Sequence, residues 1–127
     1  MLYPKIALAK AHTCVALKAS SRAYGANHVG SSEVPAVPAL FSKALNMVNI
    51  SGGQLAAFPG GVLVRSKNCG SIVGSVGVSG ALGDEDEYCA LSAIKDCSIG
   101  DELQTEPEEH SCKTSLDPED DQDIFAQ

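Results

Sequence analysis

Small and apolar residues recur at helical spacing at the start of the chain. Ile6, Ala9, Thr13, Leu17 and Ser20 fall on one face, as a period of 3.6 requires. Pro4 suits a first helical position, the alanines between 7 and 19 favour a helix, and Gly25 can end one. The spacing therefore predicts one helix over 4–24, with a face small enough for close approach to a sheet. The polar stretch 26–35 predicts a loop. Leu40, Phe41, Ala44 and Leu45 predict a shorter helix over 36–47, with Pro35 and Pro38 near its first turn.

The pattern then changes period. Pro59-Gly60-Gly61 leads into Val62-Leu63-Val64, a short strand, and Lys67-Asn68-Cys69-Gly70 reads as a turn. Residues 72–79 form a second, β-branched strand. In it Ile72, Gly74, Val76 and Val78 point one way, and Val73, Ser75, Gly77 and Ser79 the other. Glycine and serine on that second face predict a helix or a ligand close to the backbone. Asp84-Glu85-Asp86-Glu87 opens a further helix, where carboxylates complement the helix dipole. Tyr88, Leu91, Ala93 and Ile94 are its expected apolar side. The fold class is α/β, with helices packed on a small antiparallel sheet.

Charge divides the chain. Its 127 residues carry a net charge of -7, the sum of +2 over residues 1–100 and -9 over residues 101–127. The reading is one domain over 1–100 and an acidic segment over 101–127, expected to be solvated and disordered because it can bury little apolar surface. Aromatic residues make up 5% of the sequence and Trp is absent, so a base-stacking nucleic-acid platform is not expected, and no nucleic-acid partner is assigned. No apolar run approaches the length of a membrane span. The five cysteines form no CxxC pair, so neither zinc nor a disulfide framework is expected. They read as reduced, mostly buried thiols. The start lacks a signal-peptide pattern, and the expected location is cytoplasmic or an organellar interior.

The order of these blocks resembles the GlcG/HbpS-like family, which includes the C-terminal domain of PduO-type proteins and is associated with haem binding or degradation. Four features carry the resemblance: Lys10-Ala11-His12-Thr13, Ala57-Phe58-Pro59-Gly60-Gly61-Val62, the Gly-rich strand ending Gly77-Val78-Ser79-Gly80, and the acidic helix start with a central Asp86. It covers roughly residues 5–97. The family domain begins with a helix and a β-hairpin ahead of the Lys-Ala-x-Thr helix. This chain is therefore expected to be a truncated version whose sheet is short by about a hairpin, unless residues 53–58 supply a strand.

The resemblance implies a cofactor-binding set of Lys10, Thr13, Gly60, Gly61, Ser79 and Asp86, with haem as the implied cofactor. Each residue also has a plainer reading. Gly60 and Gly61 can form a tight start to a strand, Ser79 can cap a turn, Asp86 can be a helix-terminal charge, and Lys10 an exposed helical lysine. His12 occupies the variable position of its motif and is expected to be exposed and idle. No catalytic triad, phosphate loop or calcium loop can be assembled from the sequence. The expected function is a non-catalytic domain that binds haem or a similar tetrapyrrole. The alternatives are a structural subunit of a larger assembly and an enzyme of haem or corrinoid metabolism. The expected partner is another protein chain, either a second copy or a different subunit, meeting the 62–64 and 72–78 hairpin or the helix 5–24.

Overall fold

A computed structural model describes residues 2–28 and 38–109, with side chains described for 2–26 and 42–109. The loop expected over 26–35 is helical at 26–28, the end of α2; its remainder, the segment from 110 onward, and the side chains of His28, Leu40 and Phe41 lie outside the described residues. The elements run α1 (Tyr3–Leu17), α2 (Ser21–His28), α3 (Pro38–Ile50), β1 (Gly61–Ser66), β2 (Ile72–Gly77), α4 (Gly83–Asp96), a single 3-10 turn (Gly100–Glu102) and β3 (Leu103–Glu106). The α/β class with a small antiparallel sheet is what the sequence predicts.

The single helix expected over 4–24 is two. Lys18 turns into the left-handed region, at φ 54°, and ends α1. Ser20 then accepts the Ala23 N–H at 3.1 Å, as a serine at a helix start does. Gly25 ends nothing. It lies inside α2, where a side chain would run into the Ala57 carbonyl.

The sheet order is β2-β1-β3, antiparallel throughout. Leu103–Glu106 supplies the third strand, within the acidic segment where the sequence reading placed none, while 53–58 forms no strand. Strand β1 is thus central rather than an open edge. Val62 pairs with Val76 and Leu63 with Ser75, so the two faces of the hairpin alternate in step. Val62 and Val64 pack with Ala90, Leu91 and Ile94 of α4, flanked by Val76, Val78 and Leu103. Ile94 is accordingly buried, and Ala93 is exposed instead of joining the apolar side of α4.

The other face carries α1. A Cβ on Gly77 would fall on the Ala7 carbonyl and within 2.8 Å of the Ala11 nitrogen. Ser75 Oγ donates to the Ala11 carbonyl at 2.7 Å. The occupant of the glycine–serine face is therefore a helix, and the result is three layers: helices, sheet, helix. Among the described cysteines only Cys14 is buried; Cys69, Cys89 and Cys97 are exposed, which corrects the expectation of mostly buried thiols.

Candidate functional site

The sequence motifs meet at the seam between α1 and the sheet. Lys10 is 3% exposed, so it is no surface lysine. Its Nζ donates to Asp86 Oδ2 at 3.1 Å and to the Val78 carbonyl at 2.9 Å. Asp86 Oδ1 accepts the Ala81 N–H at 3.0 Å. Gly60 completes this knot. Its φ of 125° is open to glycine but rarely to other residues, and a Cβ there would sit 2.8 Å from Lys10 Nζ. Gly61 permits a second close approach, since its Cβ would lie 2.6 Å from the Lys10 carbonyl oxygen and 2.9 Å from Cys14 Sγ. Ser79 is half-buried in the turn after Val78 and makes none of these hydrogen bonds.

Thr13 lies one turn along α1. Its Oγ1 donates to the Ala9 carbonyl at 2.7 Å and accepts the Ala56 N–H at 2.8 Å. Ser21 performs a similar service, donating to the Phe58 carbonyl at 2.5 Å and accepting the Gly61 N–H at 2.8 Å. Two hydroxyls from the helical layer therefore hold the 56–61 segment in place. The sequence reading missed Ser21, whose only signal was its place beside a helix break. It also missed Arg22, which donates to Asp84 and, at 2.9 Å, to the buried Glu87. Burial opposes the Arg22 charge, but the two carboxylates outweigh it, and the guanidinium pKa rises.

The segment so held forms one wall of an apolar cleft of about 570 Å³. Leu2, Ile6 and Ala9 line it from α1 and the residue before it, Ala44, Leu45 and Val48 from α3, and Leu55 through Phe58 from the connecting segment. Lys5 is its one charged lining residue. A neighbouring hollow of about 400 Å³ shares Lys5, Ala9, Gly52 and Gly53 with it and adds Leu8, His12 and Gln54. Gly52 and Gly53 present bare backbone there, with open space where a Cβ would stand.

A larger hollow of about 800 Å³ lies between the end of α4 and β3. Lys67, Lys95, Asp101, Glu108 and Glu109 interleave opposite charges along it, so it does not suit an apolar ligand. None of Lys10, Thr13, Gly60, Gly61, Ser79 and Asp86 lines the cleft. The structure brings Lys10, Gly60 and Asp86 into mutual contact behind it, and through Ala56 it connects Thr13 to the cleft wall.

The layers and the cleft define a small three-layer α/β domain with an apolar site beside its helical layer. A family model described as haem degrading protein HbpS-like matches residues 1–95, and the chain belongs to this family. Comparison with curated proteins and with solved structures finds no match. No described helix is long and apolar enough to cross a membrane.

Proposed function

We propose that the protein binds haem or a closely similar tetrapyrrole in the cleft between α1, α3 and the 52–58 segment, without transforming it. The observation that carries this reading is the cleft's chemistry. Its volume falls in the range of small-molecule sites, and its lining is apolar with a single cation. Haem asks for apolar walls around a flat macrocycle, a cation for its propionates and a ligand for its iron. The donor set fits: aliphatic walls, the Lys5 ammonium, and the His12 imidazole in the adjoining hollow. The family's printed description, which concerns haem, supports the same ligand class.

The non-catalytic part rests on where the buried charges lie. Lys10, Asp86 and Glu87 are engaged in ion pairs behind the cleft rather than facing into it. Titration of the full chain with ferric haem, followed in the Soret region, tests binding. A saturable, stoichiometric change is expected, and a spectrum identical to free haem overturns the reading. Haem held by the protein with a mild reductant in air should keep its Soret band. Steady bleaching with release of iron would make the protein an enzyme.

A second reading, a subunit of a larger assembly, is favoured by the outer edge of β2. No described strand pairs with that edge, and Val73 on it is 60% exposed. The native mass in sedimentation decides it: a discrete multimer supports assembly, and a stable monomer removes it.

A further inference from the structure

We propose that His12 is the axial ligand of the iron in the bound haem and that Lys5 is the counter-ion of a propionate; this rests on the haem-binding reading above. Among the residues lining the cleft and its neighbouring hollow, His12 alone belongs to the side-chain types that ordinarily ligate haem iron, namely His, Cys, Met and Tyr. Tyr3 and Met47 line neither space, and two further residues of those types are engaged elsewhere. Cys14 is buried on the sheet side of α1, and the Tyr24 hydroxyl donates to the Ala44 carbonyl at 3.3 Å. His12 is exposed and makes no ion pair among the described residues. Imidazole nitrogens are common metal ligands.

Placement on the helix supports a division of labour. Lys5 and His12 are seven residues apart on α1, two turns along one face, or about 10 Å along the axis. Both line the smaller hollow, and Lys5 also lines the apolar cleft. Gly52 and Gly53 form the wall common to the two spaces and carry no side chain to divide them. A ligand spanning both would meet the aliphatic walls, the Lys5 ammonium as the cation for its carboxylates and the His12 imidazole as the nitrogen donor for its metal. The variable position of the Lys-Ala-x-Thr motif would then be where this chain acquires its iron ligand.

The test uses the full-length chain, ferric haem and iron-free protoporphyrin IX, with the variants His12→Ala and Lys5→Gln. Both positions are exposed, so neither change should disturb the fold; unchanged far-ultraviolet circular dichroism checks this. The wild type should give the absorbance and electron paramagnetic resonance spectra of a nitrogen-ligated ferric haem. His12→Ala should lose that signature and bind haem more weakly, on the order of tenfold or more, since even groups that only support a metal ligand cost that much when removed. It should bind protoporphyrin IX as the wild type does, and free imidazole should restore the spectrum. Lys5→Gln should keep the nitrogen-ligated spectrum. It should weaken haem binding while leaving the binding of haem dimethyl ester, which has no free carboxylate, unchanged. A His12→Ala protein with wild-type spectrum and affinity overturns the ligand assignment and leaves the cleft reading standing. Failure of the wild type to bind either porphyrin overturns both.

Discussion

Replacing Lys10 with methionine asks whether the motif lysine holds the fold together or holds a ligand. Methionine keeps most of the side chain's length and apolar stem but removes the ammonium. The Asp86 carboxylate then keeps only the Ala81 N–H on its other oxygen, and the Val78 carbonyl loses its donor. Exposure decides the magnitude. The Lys10 and Asp86 side chains are 3% and 4% accessible, so water cannot screen the pair or replace the missing partner. The relevant cost is that of breaking a buried pair, about 3–5 kcal/mol, rather than the fraction of a kcal/mol typical of surface pairs. For a folded unit of roughly 100 residues this lowers the melting temperature by about 15–25 °C. Asp86→Asn should cost a similar amount, because it leaves the ammonium buried with a neutral partner. The double change Lys10→Met with Asp86→Leu should cost less than the two single changes summed, since no unpaired charge remains. The assay is thermal melting by circular dichroism for the four proteins, with haem titration below their melting ranges. Folded Asp86→Asn protein should bind haem as the wild type does. A Lys10→Met melt lowered by no more than about 4 °C, the scale of a surface pair, would refute the reasoning. Loss of haem binding by folded Asp86→Asn protein would return the motif to the ligand.

Thr13→Val should destabilise by about 1–3 kcal/mol, because the buried Ala56 N–H loses its acceptor. It should also weaken haem binding through the displaced cleft wall, and chemical denaturation with titration reads both. Gly77→Val should cost about 1–3 kcal/mol or more by forcing α1 off the sheet; overlapping denaturant curves for variant and wild type would contradict the close packing. Cys69 should be alkylated faster than Cys14 at near-neutral pH, as peptide mass mapping shows. The Ser71 hydroxyl, 2.9 Å from its sulfur, lowers the Cys69 pKa, while burial pushes Cys14 up to about 11. The Cys14 shift also has a stability consequence. Between about pH 9 and 11 the unfolded chain gives up the Cys14 proton while the folded protein keeps it, so stability falls as pH rises through that window. The fall should be smaller in Cys14→Ala, as urea titrations across the window will show.

The sequence showed some of this plainly and hid the rest for physical reasons. The β1–β2 hairpin was legible because Val62-Leu63-Val64 and 72–78 carry strand residues around an Asn- and Gly-containing turn. So was the close approach at Ser75 and Gly77, although not the identity of its occupant. The break at Lys18 was invisible because 4–24 keeps helical spacing straight through it, and only the Ser20–Ser21 pair hints at a new start. β3 was hidden for another reason. Leu103-Gln104-Thr105-Glu106 has one apolar residue among polar ones and becomes a strand by pairing with β1, not by its own pattern. The motif residues were found, but their mutual contacts were not, since Lys10 and Asp86 are 76 positions apart. The cleft was illegible because Ile6, Val48 and Leu55 come from three separate segments, and each alone looks like ordinary core.

The central place of β1 also bears on how the protein is made. Its first neighbour, β2, follows after a short turn, so the hairpin can close once residue 77 has left the ribosome. Its second neighbour pairs Val64 with Thr105, some forty residues later. Closing that larger loop costs more chain entropy and cannot begin until the later segment has left the ribosome. In the interval β1 offers a bare edge and the Val64–Ile94 side of the core lacks Leu103. A nascent chain stalled shortly after α4 should therefore engage holding chaperones, and one released beyond residue 106 should not.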